Sequence, residues 1–231
     1  MEFILTLLSS KKILNTLSKQ IILYADFNVL NFLFENKIHI DDNVILYPDS
    51  TLVTLYLNFT NKSRIKRIVS TDLQQELLNE FAHLHKKIFF FGDNDDTLKL
   101  LTNKLLEKNK VINIAGIQNG YDFNTFELIK KLNSLKIDVL FVGLGLSRQE
   151  KWIIENYSKV NSMIIISVGG WFQYLAEKKN RAPLFIRKLH LEWIHKLLIE
   201  FPRIWKRYFI GIPKFLYRVF TKKIVLHIKR T

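Results

Sequence analysis

Val139-Leu-Phe-Val-Gly-Leu-Gly-Leu-Ser-Arg-Gln-Glu-Lys-Trp152 sets the class of the fold. Its first four residues are apolar, too few for a helix, and predict a strand buried on both faces. Two glycines break the run, and from Arg148 to Lys159 the apolar residues fall at helical spacing. Strand, tight turn and helix in that order make one unit of a parallel sheet covered by helices. The same alternation extends on both sides. Further strands are predicted over Ile21–Tyr24, Val44–Tyr47, Ile68–Val69, Ile88–Phe91, Val111–Ala115 and Met163–Val168, and helices over Leu73–His85, Thr97–Lys108 and Phe123–Leu135. The expected fold is α/β, a Rossmann-like doubly wound, mostly parallel sheet.

The composition narrows the chemistry. With 231 residues and 48% hydrophobic content the chain can bury a sizeable core, and with no cysteine it has neither disulfides nor thiolate metal ligands. The apolar run Phe3–Leu8 is too short for a secretory signal, so Met1–Ser10 is read as mature sequence. No stretch reaches the roughly 18 to 20 apolar residues that cross a bilayer.

Charge divides the chain. Residues 178–231 hold fifteen Lys and Arg against Glu192 and Glu200, which is +13 of the total +14. We therefore expect a core over 1–177 and a basic amphipathic appendage over 178–231. Leu189, Trp193, Leu197 and Phe201 form one apolar stripe, and Leu216, Phe220, Ile224 and Ile228 another, both at helical spacing. Cations between such stripes form a solvated face, meet anionic lipid headgroups, or grip a nucleic acid backbone. No helix-turn-helix, RNA-recognition or zinc pattern accompanies them, so nucleic acid is not expected as a partner.

Five predicted strands end in small or polar residues: Pro48-Asp49-Ser50, Ser70-Thr71-Asp72, Gly92-Asp93-Asn94, Gly143-Leu144-Gly145 and Gly169-Gly170. Ligands of open α/β sheets bind beyond such carboxyl ends, where helix N-termini present free N–H groups. Asp49 either caps the helix that follows it or serves as a general base at the rim. Gly143 and Gly145 let a phosphate or sugar approach the backbone, and Arg148 and Gln149 stand where they can donate hydrogen bonds to it. The glycine spacing lacks the third glycine of a dinucleotide fingerprint, and a plain tight turn explains it equally well.

A longer pattern then emerges. Gly143, Gly145, Gln149, Glu150 and Trp152 are followed by Gly169-Gly170-x-Phe172, Arg181-Ala-Pro183, Leu191-Glu-Trp193, Pro202-Arg203 and Arg207-Tyr208. This order resembles the WecG/TagA/CpsF family of bacterial glycosyltransferases. Upstream, Pro48-Asp49, Arg67 to Leu73 and Gly120-Tyr121 are similar to further family segments, so the resemblance covers about residues 20 to 220. It implies inverting transfer of an N-acetylmannosamine-type or related sugar from a UDP donor to a polyprenyl-diphosphate-linked sugar during surface-glycan synthesis, with no metal or other cofactor. By the same resemblance Asp49 is the catalytic base, Arg67 a cation for the donor phosphate or the intermediate and Gln149 an active-site hydrogen-bonding residue; Thr71, Asp72, Gly92, Tyr121, Gly143, Gly145, Arg148, Glu150, Gly169, Gly170 and Arg181 are expected to bind substrate beside them.

The chain departs from the pattern at Ser50, Ser70, Ser147, Gln173 and Glu177, and Asp26 stands where the family has an asparagine. These changes leave room for a different sugar, or for a membrane-bound scaffold without activity. The expected partners are a UDP-sugar, a lipid-linked diphosphate acceptor, the anionic inner face of the bacterial membrane and a second copy of the chain. The expected location is peripheral, on the cytoplasmic face of that membrane. Arg203, Arg207 and Arg218 are the tail cations expected to meet phosphate or lipid.

Overall fold

The computed structural model describes residues 1–7, 13–14, 18–60, 65, 69–189 and 191–230. The strands are β1 (Glu2–Leu7), β2 (Gln20–Ala25), β3 (Val44–Pro48), β4 (Lys87–Gly92), β5 (Asn113–Gln118), β6 (Val139–Gly143), β7 (Ile164–Ser167) and β8 (Val225–Arg230). They form one eight-stranded sheet in the order β5-β4-β6-β7-β2-β3-β1-β8, and every pairing is parallel. The core helices are α1 (Phe27–Glu35), α2 (Thr51–Thr60), α3 (Ser70–His83), α4 (Asp95–Lys108), α5 (Thr125–Leu135), α6 (Arg148–Asn156) and α7 (Trp171–Leu175). The basic segment adds α8 (Leu184–Lys188), α9 (Glu192–Ile199), α10 (Phe201–Phe209) and α11 (Gly211–Phe220).

Alternation along each strand builds two layers. In β4, Phe89 and Phe91 join Leu128 and Leu132 of α5 and Trp152 of α6 on one face. Ile88 and Phe90 join Leu77 and Phe81 of α3 and Leu98 and Leu101 of α4 on the other. A strand covered on both sides has no polar face, which is why Ile88–Phe91 is uniformly apolar. The connection from β4 to β5 runs through α4 and the return to β6 through α5, on opposite faces. The order of connection across the sheet reverses between β4 and β6, so the crevice beyond their carboxyl ends is a natural ligand site.

Three predicted elements differ. Val69 is the residue before α3, not part of a strand, and Ile68 lies outside the described residues. The strand expected over Val111–Ala115 runs instead over Asn113–Gln118. The stripe through Ile224 and Ile228 is not helical: α11 stops at Phe220, Lys222 takes φ 55°, and β8 pairs with β1 from Glu2↔Val225 to Leu7↔Arg230. A four-residue spacing is a multiple of both two and nearly 3.6, so Ile224 and Ile228 fit either period. Neither β1 nor β8 stands out as a strand in the sequence, since each lies at the short end of the chain.

The basic segment packs on the core rather than trailing from it. Phe215 and Val219 of α11 are buried among core residues of α1 and α2, with Phe215 fully enclosed. Among the described residues no helix is long and apolar enough to cross a membrane.

Gly92 closes the central crevice. It has φ 139°, and a Cβ there would meet the Gly143 carbonyl oxygen at 2.3 Å. Gly92→Ala should therefore push β4 from β6 and destabilise the fold by roughly 1–3 kcal/mol in urea titration, as overpacking does.

Candidate functional site

The carboxyl ends of β2, β3, β4, β6 and β7 deliver their turns to one rim. Register places Ala25 beside Pro48, so Asp26 and Asp49 follow on neighbouring strands. Asp49 does not cap the helix after it: Ser50 Oγ does, accepting from Val53 N at 3.0 Å. Instead Asp49 Oδ1 accepts from Ser70 N at 2.8 Å, at the start of α3. Two elements distant in sequence thus orient this carboxylate at the rim. Below it stand Tyr24 and Tyr47, whose phenol pKa values are raised first by burial and then by the Asp49 charge.

Asp26 joins the rim to the basic segment. Its Oδ1 accepts from Asn28 N at 2.8 Å and Val29 N at 2.9 Å, capping α1. Its Oδ2 accepts from Arg207 of α10. Burial alone would lower the Arg207 pKa, but Asp26 and more distantly Asp49 hold it raised, so the guanidinium stays charged. The Asn28 amide, oriented with its oxygen toward Arg207, also accepts from Nε at 2.9 Å.

Across the crevice the two glycine turns are tied together. Gly169 N donates to Gln149 Oε1 at 2.9 Å, and Gln149 Nε2 donates to Glu150 Oε1 at 2.7 Å. Glu150 Oε2 accepts from Ser147 N at 2.7 Å, which holds Ser147 at φ 68° and Gly145 at φ 83°. Glu150 has no exposed surface, and that burial pushes its carboxyl up to about 7 against hydrogen bonds from Gln149, its own backbone N–H and Ser147 N. It orients the turn from within the wall of the crevice. Arg148 donates to Gly120 O at 2.9 Å and lies 5.9 Å from the centre of the exposed Tyr121 ring.

Two cavities open on this rim. A polar one of about 370 Å³ lies among Asp93, Gly120, Gly143, Gly145, Gln149 and Gly169. A larger one of about 820 Å³ lies beneath α9 and α10, among Leu52, Arg181, Trp193, Lys196 and Ile199. Asp26, Asp49, Thr71, Tyr174, Lys179 and Arg207 line both. Asp49 therefore stands at the junction, on the same rim as Gly143 and Gly169.

Most residues singled out in the sequence gather here, but not all. Thr71, Tyr121, Gly143, Gly145, Arg148, Gln149, Gly169, Gly170, Arg181 and Arg207 line one cavity or both. Gly92 acts through packing, and Asp72 is an exposed partner of Arg181 at 2.5 Å. Arg218 sits elsewhere: it donates to Asn31 Oδ1 and Glu35 Oε1, each at 2.7 Å, at the end of α1 remote from the rim. Arg67 and the side chain of Arg203 lie outside the described residues. Sequence reading missed Asp93, Tyr174, Lys179, Lys196 and Glu200 as lining residues. Lys179 and Lys196 were visible only as part of the tail charge.

Residues 16–228 match the model of the Glycosyl transferase WecG/TagA/CpsF family. The chain is similar to the N-acetylglucosaminyldiphosphoundecaprenol N-acetyl-beta-D-mannosaminyltransferases of Staphylococcus aureus strains NCTC 8325 / PS 47 and COL. Each is 32% identical over 154 residues, covering 66% of this chain and 59% of the relative. The protein of strain MW2 is 31% identical over the same length. The match thus spans under two thirds of these relatives.

Glu150 makes a testable contribution to stability. Its folded pKa of about 7 lies above the ordinary 4.5, so the protein is favoured in the protonated state. This contribution is intact below pH 4.5 and is lost as pH rises through 7, about 3 kcal/mol in all. Denaturation from pH 4.5 to 8 should show that decline in the wild type and not in Glu150→Gln. With its residues 16–228 matched by the family model, this chain belongs to the WecG/TagA/CpsF family of glycosyltransferases.

Proposed function

We propose that this chain is an inverting glycosyltransferase that moves an N-acetylmannosamine-type sugar from a UDP donor to a sugar on a polyprenyl diphosphate. The observation that carries this reading is the position of Asp49 where two cavities meet. The smaller, polar cavity suits the donor: its glycine turns allow close approach of a diphosphate, and Lys179, Lys196 and Arg207 supply cations. The larger cavity, walled by tail helices and containing Trp193 and Ile199, suits a sugar diphosphate on a lipid. The named acceptor of the relatives, N-acetylglucosaminyldiphosphoundecaprenol, has that chemistry.

In this mechanism Asp49 accepts the proton of the acceptor hydroxyl, and that oxygen attacks the anomeric carbon of the donor from the side opposite the diphosphate. The carbon–oxygen bond to UDP breaks, and UDP leaves with the electron pair. Arg207 and the N–H groups of the glycine turns meet the charge that grows on the leaving oxygens, without requiring a metal ion. The hydrogen bond from Ser70 N fixes the carboxylate for its task.

The tail fits a lipid surface. Leu184, Phe185, Leu198, Phe209 and Phe220 are all more than 60% exposed, and Lys206 and Lys214 lie exposed among them. Apolar side chains entering the headgroup region beside cations that meet anionic lipid would hold the protein peripherally at the cytoplasmic face of the inner membrane. The same exposed face admits a second copy of the chain.

The test is UDP release from UDP-N-acetylmannosamine with N-acetylglucosaminyldiphosphoundecaprenol in anionic vesicles. Asp49→Asn should lower kcat by roughly 100- to 1,000-fold, within the range of a lost general base, with UDP affinity retained. A variant that turns over at the wild-type rate would remove Asp49 from the chemistry.

A further inference from the structure

One carboxylate of the polar cavity has no part in the mechanism above. Asp93 follows β4 and takes φ 48°, a left-handed conformation that glycine adopts freely and that asparagine and aspartate adopt more readily than other residues. It is not there to cap α4: Asn94 does that, accepting from Thr97 N at 2.9 Å. Nor does it belong with the acidic first turn of that helix. Asp95 is occupied by Asn119 Nδ2 at 2.7 Å, and neither Asp95 nor Asp96 lines the cavity.

Four contacts fix Asp93 in place. Its N–H donates to Gly143 O at 3.2 Å, and its carbonyl accepts from Gly120 N at 2.9 Å. Oδ1 accepts from Asn94 N at 2.9 Å, and Oδ2 accepts from Gln173 Nε2 at 3.0 Å. Each carboxylate oxygen can accept a second hydrogen bond. The group is thus a pre-oriented acceptor pair at the reversal point of the sheet, facing the cavity that Gly143, Gly145 and Arg148 also line.

Its place along the rim selects the ligand. Asp49 follows β3 and Asp93 follows β4, four strands apart in the sheet, or about 19 Å at ordinary strand spacing. Transfer must occur beside Asp49, so a donor lying along the rim puts its sugar there, its diphosphate over the Gly169 and Gly145 turns, and its nucleoside at Asp93. A carboxylate repels phosphate and accepts from hydroxyls. Beyond Asp93, the exposed Tyr121 ring with Arg148 beside it is a surface on which a base can stack.

We propose that Asp93 binds the ribose 2′,3′-diol of the donor nucleotide and makes the site selective for ribonucleotides. The inference rests on the donor reading given above and adds the residue that reads the nucleoside. Gln173 acts through Asp93, holding Oδ2 toward the cavity.

Calorimetric titration of the full chain with UDP, 2′-deoxy-UDP and 3′-deoxy-UDP tests it, comparing wild type with Asp93→Gly and Asp93→Asn. Glycine suits φ 48°, so Asp93→Gly should keep its melting temperature. The wild type should bind UDP roughly 10- to 100-fold more tightly than at least one deoxy analogue, the range for hydrogen bonds to a charged group. In Asp93→Gly that preference should fall to within about two-fold, because variant and analogue remove the same interaction. Asp93→Asn, which keeps one acceptor, should fall between. If UDP binds but the preference survives in Asp93→Gly, or all three ligands weaken equally, Asp93 only shapes the turn and the inference is wrong. If the wild type binds none of the three, the donor reading falls and takes this inference with it.

Discussion

The site depends on one ion pair. Asp26 spends one carboxylate oxygen on the first N–H groups of α1 and gives the other to Arg207, which arrives from α10. A rim carboxylate and a tail cation thereby fix each other, and the tail becomes a wall of the site. The contact lies where α9 and α10 form one side of the larger cavity, beside Asp49 at the junction. The neighbouring pairs Lys179–Glu200 at 2.7 Å and Arg181–Glu192 at 3.5 Å reinforce the same closure from the loop after α7.

The parallel sheet explains why so few residues suffice. All strands point one way, so every turn at their carboxyl ends meets at one edge, and side chains far apart in sequence become neighbours without a dedicated scaffold. Positive φ collects at the same edge, at Asp93, Ser147 and Gly169: hydrogen bonds from other turns hold Asp93 and Gly169, and Glu150 holds Ser147 within its own turn. The buried Glu150 carries a related cost, since its carboxylate is desolvated to keep the Gly143–Ser147 turn in shape. Stability is given up at the rim and recovered in the aromatic layers beneath it, where Phe90 stacks on Phe141 at 5.6 Å.

Much of this was legible in the sequence, for reasons that differ by element. β4 and β6 read clearly because strands buried on both faces show no alternation to confuse. The glycine turns read as ligand-facing because Gly143 and Gly169 follow such strands. β8 was misread because Ile224 and Ile228 satisfy two periods at once, and only its pairing with β1, at the other end of the chain, decides between them. The Asp26–Arg207 pair was invisible for the same reason: it joins residues 181 apart, and no local pattern encodes it. Arg218 had the same tail composition as Arg207, yet the turn of α11 directs it to Glu35 and away from the rim.

A crystal structure of the protein with UDP bound would test the account most directly. It predicts the diphosphate against the Gly145 and Gly169 turns within reach of Arg207, the ribose toward Asp93, and Asp49 free of the nucleotide at the mouth of the larger cavity. UDP bound away from the polar cavity, or lying with its base beside Asp49, would contradict it.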